Sequence, residues 1–134
     1  MKYLLDTNIC IYIIKQKPPQ VIQRLQRLNI NDIGISVITL AELEYGISKS
    51  SFPERNKLAL IQFLAPFMIL SFSEAAAEVY GKVRSDLEKS GQIIGPYDLL
   101  IGAQAIAENL VLVTNNEREF KRIPGLVIEN WVAV

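Results

Sequence analysis

The feature that most constrains the fold is a regular alternation of short apolar runs with segments of helical periodicity. The apolar runs predict strands at 2–5, 33–35, 67–70, 110–113 and 126–128. Polar caps, prolines and apolar spacing predict helices at 9–15, 19–28, 37–48, 53–65, 74–90, 96–109 and 117–120. Strands that alternate with helices predict an α/β fold, with a mostly parallel, roughly five-stranded sheet covered by helices on both faces.

The length and composition are those of one globular domain. A chain of 134 residues fits a single domain over 1–134, and its 50% apolar content is enough to build a core. The formal net charge is zero, so we expect no broad electrostatic surface for nucleic acid. The basic residues that cluster along the chain are interpreted as ordinary solvated surface.

The absence of histidine excludes several kinds of active site. No Ser-His-Asp triad, Cys-His pair, imidazole base or histidine-containing zinc site can form. The single cysteine, Cys10, lies in an apolar run and is predicted to be a buried, unreactive thiol.

No segment predicts export or membrane insertion. Asp6 interrupts the apolar N-terminus too early for a signal peptide. The uncharged stretch 58–73 contains Pro66 and is shorter than the roughly 20 residues that span a bilayer. We expect a cytoplasmic protein without a membrane partner.

Acidic residues follow the predicted strands. Asp6 comes directly after the first strand, Glu42 lies on the helix after the second, Asp98 lies in a helix's first turn, and 114–119 follows the fourth strand. In an open α/β sheet the binding crevice lies outside the carboxyl ends of the strands. We therefore expect these acids to converge there.

Convergent carboxylates predict a bound cation. Without one, mutual repulsion would force at least one of them to hold a proton. Oxygen ligands favour Mg²⁺, or Mn²⁺, over softer metals. Such a metal activates water and stabilises charge on phosphoryl oxygens, so the pattern favours phosphodiester hydrolysis without histidine.

Each acid also has a purely structural interpretation. Asp6 is a good helix cap, and Asp98 complements a helix dipole. Spacing alone leaves two choices open, Glu42 against Glu44 and Glu117 against Glu119.

The polar and aromatic residues near these acids are weaker signals. Residues 114–116 are typical of a turn, and Trp131 is predicted to pack in the core. Tyr45 and Tyr97 lie too far apart in the sequence to indicate a surface for base stacking.

Motifs spread over nearly the whole chain match a known family in order and spacing. They are Leu4-Leu5-Asp6-Thr7-Asn8, Ser36-Val37-Ile38-Thr39 before Glu42-Leu43, Ile94-Gly95-Pro96 before Asp98-Leu99-Leu100-Ile101, Leu112-Val113-Thr114-Asn115-Asn116 before Glu119-Phe120, and Pro124-Gly125-Leu126 before Glu129-Asn130-Trp131. Together they resemble a PIN-domain ribonuclease, and more narrowly the VapC toxins of bacterial type II toxin–antitoxin pairs. The resemblance implies the three-layer PIN-like fold.

The resemblance also implies roles for the acids. It points to Asp6 and Asp98 as direct metal ligands and to Glu42, rather than Glu44, at the metal or its activating water. Many relatives carry Asp where this chain has Asn116, so Glu119 becomes the expected fourth acid. Further polar residues are expected just outside these ligands, namely Thr7, Asn8, Thr114 and Asn116. Position 104 is Gln where many relatives have His, which argues that the histidine is not essential to the chemistry.

The family implies a toxic, metal-dependent endoribonuclease that cuts structured RNA, such as a tRNA anticodon loop or a ribosomal RNA loop, leaving a 5′-phosphate and a 3′-hydroxyl. It also implies a homodimer held inactive by a cognate VapB-type antitoxin, with operator DNA bound only through that antitoxin.

The sequence is compatible with two other functions. One is a phosphatase of the haloacid-dehalogenase kind with Asp6 as covalent nucleophile, although that class normally has a second Asp where this chain has Asn8. The other is a non-catalytic interaction module whose acids are surface charge. The sequence does not identify the RNA, the bond cut, the antitoxin, the number of metals, or whether Glu119, Glu117 or Asn116 fills the fourth position.

Overall fold

The first strand lies at the centre of the sheet. A computed structural model describes residues 1–133. β1 (Tyr3–Leu5) is buried along its whole length and pairs in parallel with β2 (Ile33–Ser36) on one side and β4 (Val111–Val113) on the other. β3 (Met68–Leu70) and β5 (Ile128–Glu129) form the edges.

The sheet has five parallel strands in the order β3-β2-β1-β4-β5. The predicted α/β fold with its parallel sheet is therefore confirmed. The seven helices of the described residues are α1 (Thr7–Lys15), α2 (Pro19–Gln26), α3 (Val37–Ser48), α4 (Pro53–Leu64), α5 (Glu74–Lys89), α6 (Pro96–Ala107) and α7 (Glu117–Phe120). A 3-10 turn, Ile30–Asp32, precedes β2.

Most helix starts lie where the sequence predicts them. Ser36 caps α3 by accepting from the Ile38 backbone N–H, and Ser73 caps α5 in the same way through Ala76. The first helix is an exception, because it begins at Thr7 rather than at Ile9. The reason is that the Asp6 carboxylate itself accepts from the Thr7 N–H and starts the helix directly after β1.

Each face of the sheet has its own core, as alternating side chains of a strand require. Tyr3 and Leu5 pack on one face with α1 to α4, whereas Leu4 packs on the other face with α5 and α6. Trp131 is buried on the first face, with its ring edge-on to Tyr3 at 5.9 Å, which confirms its predicted place in the core. Within residues 1–133, no helix has the length and apolarity needed to cross a bilayer.

Candidate active site

The candidate site lies at the carboxyl ends of β1 and β4, which are neighbours at the centre of the sheet. Leu5 is opposite Val113 in the register, so the next residue of each strand, Asp6 and Thr114, emerges at the same edge. The Asp6 backbone N–H donates to the Val113 carbonyl at 2.9 Å and continues the pairing by one residue. The fold thereby brings the two post-strand segments together.

Asp6 is a buried carboxylate that is only 3% exposed. Its Oδ1 accepts from the Thr7 backbone N–H at 2.8 Å, and its Oδ2 accepts from Thr114 Oγ1 at 2.8 Å. Burial raises the pKa of Asp6, and the charges of Glu42 and Glu119 add to that rise, while the two hydrogen bonds oppose it. Each oxygen retains a free lone pair for a further ligand.

Asp98 and Glu119 form a hydrogen-bonded pair beside Asp6. Burial, a hydrogen bond with Glu119 and the charges of Asp6 and Glu42 together raise the pKa of Asp98 to about 7. The same hydrogen bond is the main reason that the pKa of Glu119 is lowered, with help from the Asn116 amide and the Gly95 backbone N–H. These opposite directions are those of a hydrogen bond in which a protonated Asp98 donates to the Glu119 carboxylate.

Glu42 reaches the cluster from α3. Thr7 Oγ1 donates to Glu42 Oε1 at 2.7 Å and lies 3.3 Å from Thr39 Oγ1. Thr39 was not singled out from the sequence. The available signal was its position three residues before Glu42, which places both on one face of a helix.

The structure separates the two pairs of glutamates that spacing leaves open. Glu44 points away and forms an ion pair with Lys57. Glu117 accepts from Asn130 Nδ2 at 3.2 Å and lies 3.8 Å from Lys121 Nζ. Their neighbours Glu42 and Glu119 are the ones that face Asp6 and Asp98.

The smaller polar residues differ in how close they come. Thr114 is buried, and its Oγ1 accepts from the Asn116 N–H at 2.9 Å while it donates to Asp6. Asn116 Nδ2 donates to Glu119 Oε2 at 2.7 Å. Asn8 is exposed, and within residues 1–133 its side chain makes no hydrogen bond.

Gln104 is a buried residue that holds the two sides of the site together. It lies on α6, the helix of Asp98, and its Oε1 accepts from Ser36 Oγ at 2.5 Å, directly before α3, the helix of Glu42. Its Nε2 donates to the carbonyls of Leu70 and Ser71, at 3.3 and 3.0 Å. Gln104 thus fixes the separation of the helices that carry Asp98 and Glu42.

The donor set fits a hard divalent cation. Within residues 1–133, no group of three or more Asp, Glu or Cys side chains is arranged to hold a metal ion. Mg²⁺ is usually held by only one or two carboxylates together with waters and substrate phosphates, so Asp6 and Asp98 would suffice as its protein ligands. Cys10 is fully buried, and burial raises the pKa of its thiol, so all ligands offered to a metal here are oxygens.

Comparison with known proteins gives one consistent result. A family description, the PIN domain, matches residues 3–126. Ribonuclease VapC2 of Rickettsia felis is 52% identical over 132 residues, which cover 98% of each chain. The tRNA(fMet)-specific endonuclease VapC of Shigella flexneri is 44% identical over 131 residues, again 98% of each chain.

Solved structures agree with these matches. VapBC2 from Rickettsia felis, bound to a DNA fragment from its promoter, superposes with a TM-score of 0.91 at 50% identity, over 98% of this chain and 99% of that one. DNA-bound VapBC from Salmonella typhimurium superposes with a TM-score of 0.92 at 45% identity, over 98% of both chains.

Proposed function

This chain belongs to the PIN-domain family of VapC ribonucleases, and we propose that it is a toxic endoribonuclease that cuts structured RNA with a divalent metal held at its acidic cluster. The observation that carries the metal site is the meeting of Asp6, Asp98, Glu119 and Glu42 at one edge of the sheet. Burial, a hydrogen bond with Glu119 and the charges of the neighbouring acids raise the pKa of Asp98 to about 7, so its protonated form is favoured relative to an isolated Asp. A cation that replaces the Asp98 proton would relieve the repulsion between the acids.

The proposed substrate is structured RNA of the tRNA class. Support comes from the relatives named tRNA(fMet)-specific endonuclease, at 44% and 45% identity. A formal net charge of zero favours recognition of RNA shape at a local site over a broad basic surface.

The proposed partner is a VapB-type antitoxin that neutralises the enzyme. Three of the solved relatives cited are VapBC complexes, and two of these three are bound to DNA. In the proposal, operator DNA is bound only through the antitoxin, and residues 1–134 form one domain that assembles as a homodimer in the cytoplasm.

The residues have distinct roles in the proposed mechanism. Asp6 and Asp98 would hold the metal, for which we propose Mg²⁺, with Mn²⁺ as a substitute. When bound, the metal supplies the positive charge that activates water and stabilises the phosphoryl oxygens during in-line displacement. Thr114 and Thr7 orient the carboxylates of Asp6 and Glu42 through their hydroxyl hydrogen bonds.

Glu42 and Glu119 complete the negative site. Glu42 is placed to accept a proton from the attacking water, since its Oε1 is engaged by only one hydroxyl donor. Glu119 holds Asp98 and receives the Asn116 amide, so we assign it to a second metal or to orienting the first. Phosphatase chemistry at Asp6 is not favoured, because the relatives are ribonucleases.

The experiment is RNA cleavage by the pure full-length protein. Total tRNA is incubated with Mg²⁺ or Mn²⁺, with and without EDTA, using wild type, Asp6→Asn and Asp98→Asn. Glu44→Gln is the matched control, because it removes a charge from the same helix as Glu42 outside the cluster. We expect cleavage that EDTA and both Asp substitutions abolish and that Glu44→Gln preserves. Cleavage that survives EDTA would overturn the metal mechanism.

A further inference from the structure

Most residues that line a cleft beside the acidic cluster have no part in the chemistry described above. Its volume is about 610 Å³, and it lies between α1, α3 and α6. We call it the tyrosine cleft, and the lining residues that matter here are Thr7, Glu42, Tyr45, Gly46, Lys49 and Tyr97. Glu42 belongs to the acidic cluster and accepts a hydrogen bond from Thr7, so the cleft opens directly from the candidate active site.

One face of α3 leads from the acids into the cleft. Ile38, Glu42, Tyr45 and Lys49 follow each other at intervals of four, three and four residues, which is the spacing of a single helical face. A ligand that contacts Glu42 therefore meets Tyr45 next and Lys49 after that.

The two tyrosines are unusually exposed for aromatic residues beside a cleft. Tyr45 is 66% exposed and Tyr97 is 58% exposed. Tyr97 directly precedes Asp98 in the first turn of α6 and brings a second aromatic ring to the cleft. The aromatic surface is thus available to a ligand.

A positive charge stands next to this aromatic surface. Lys49 Nζ lies 4.9 Å from the centroid of the Tyr45 ring, and within residues 1–133 it forms no ion pair. The neighbouring carboxylates repel a polyanion, so a nucleic acid needs a cation outside the cluster. Exposed aromatic rings beside a free cation are the usual elements that bind single-stranded nucleic acid, by base stacking and phosphate contact.

We propose that the tyrosine cleft binds one unpaired nucleobase of the RNA, next to the bond that is cut, stacked on Tyr45 and bordered by Tyr97, with Lys49 at an adjacent phosphate. This inference rests on the proposed RNA substrate. It names the part of the RNA that the site selects, namely a base splayed out of a loop, as sequence-selective RNA recognition generally requires.

The chain offers a matched control for the aromatic residues. Phe52 is 58% exposed and lies under Arg55, whose guanidinium is 4.8 Å from the ring centroid, so it reproduces the pair of Tyr45 and Lys49 elsewhere on the surface. Phe52→Ala removes the same kind of side chain from outside the cleft.

The test is binding of a fluorescently labelled, synthetic anticodon stem-loop of tRNA(fMet), measured by anisotropy in EDTA so that no turnover is needed. We expect Tyr45→Ala to weaken binding by about tenfold or more, the range known for loss of one stacked base, while Tyr45→Phe and Phe52→Ala stay within twofold of wild type. Lys49→Gln should reduce the salt dependence of binding by about one phosphate contact. Melting curves of each variant verify that it is folded.

A set of stem-loops with single abasic positions identifies the stacked base. At one loop position, removal of the base should weaken wild-type binding as much as Tyr45→Ala does, and the two changes together should cost no more than either alone.

Wild-type affinity for the stem-loop in both Tyr45→Ala and Tyr97→Ala would overturn the proposal. It would equally be overturned if these variants kept RNA affinity but lost binding to the antitoxin, since the cleft would then be a protein-binding surface. If the wild-type protein does not cleave RNA with metal, but the substitutions weaken RNA binding as predicted, only the proposed catalytic function is overturned.

Discussion

Thr114 Oγ1 donates a 2.8 Å hydrogen bond to Asp6 Oδ2, although 108 residues separate the two in the chain. Both residues directly follow central, neighbouring strands, so the sheet register alone brings them together. The hydroxyl also accepts from the Asn116 N–H and fixes the turn that leads to Glu119. This contact links the first acid of the site to the last.

Removal of that hydroxyl should cost stability and activity together. Thr114→Val leaves a buried carboxylate oxygen without its donor, which costs roughly 1–3 kcal/mol. Thr114→Ser keeps the donor and should remain close to wild type. Urea unfolding measures the free energy of unfolding, and RNA cleavage is followed in parallel. Equal stability of the Val and Ser variants would contradict the importance of this hydrogen bond.

Neutralisation of Asp98 should abolish RNA cleavage without lowering the stability of the protein. Asp98→Asn removes one charge from a repulsive cluster, and its amide N–H can still donate to Glu119. We expect the metal-free variant to melt at or above the wild-type temperature at pH 8 and to lose RNA cleavage, as is common where an active site is built at the expense of stability. The matched control, Glu117→Gln, should leave cleavage unchanged. A strongly destabilised Asp98→Asn protein would show that the carboxylate is structural.

The stability of the metal-free protein should fall as the pH rises. The pKa of Asp98 is raised in the folded state to about 7 from 3.8, so folding favours the protonated form. This contribution is complete below pH 3.8 and is lost as the pH passes through about 7. Chemical denaturation in EDTA from pH 5 to 8 should show a decline that levels off above about pH 7, and Asp98→Asn should flatten it. A wild-type stability that rises over this pH range would contradict a raised pKa of Asp98 in the folded protein.

Loss of the Gln104 amide should lower the stability of the protein, because this side chain connects the helices that carry Asp98 and Glu42. Gln104→Met keeps the volume but leaves the Ser36 hydroxyl and the Leu70 and Ser71 carbonyls without their partner. We expect a loss of roughly 1–3 kcal/mol in unfolding free energy. Ser36→Ala removes one of the three contacts together with the N-cap of α3, so it should also lower the free energy of unfolding. The result that contradicts this is an unchanged denaturation midpoint in Gln104→Met.

The order of elements was predictable because apolar runs and helical spacing are local properties of the chain. The sheet order was not, since pairing of β1 with β4 depends on contacts between distant segments. The edge strands show most clearly that local patterns do not determine strand positions. β5 was expected at 126–128 but lies at Ile128–Glu129, because its position is set by pairing with β4 rather than by its own apolar pattern.

Local patterns could identify candidate acids but not which member of each pair faces the site. Glu42 and Glu44 are two residues apart on a helix and point in different directions, and only the position of α3 against Thr7 shows which one is inside. Tyr45 and Tyr97 appeared unrelated for the same reason, and the fold places both in one cleft. The roles assigned to the four acids stay predictions.

The most direct test of the metal site is calorimetric titration of the full-length protein with Mn²⁺ at pH 8. Wild type and Glu44→Gln should bind the metal with equal affinity, whereas Asp6→Asn and Asp98→Asn should each bind it more than about tenfold more weakly. Equal binding by Asp98→Asn and wild type, or no binding by wild type, would contradict a metal centre formed by these carboxylates.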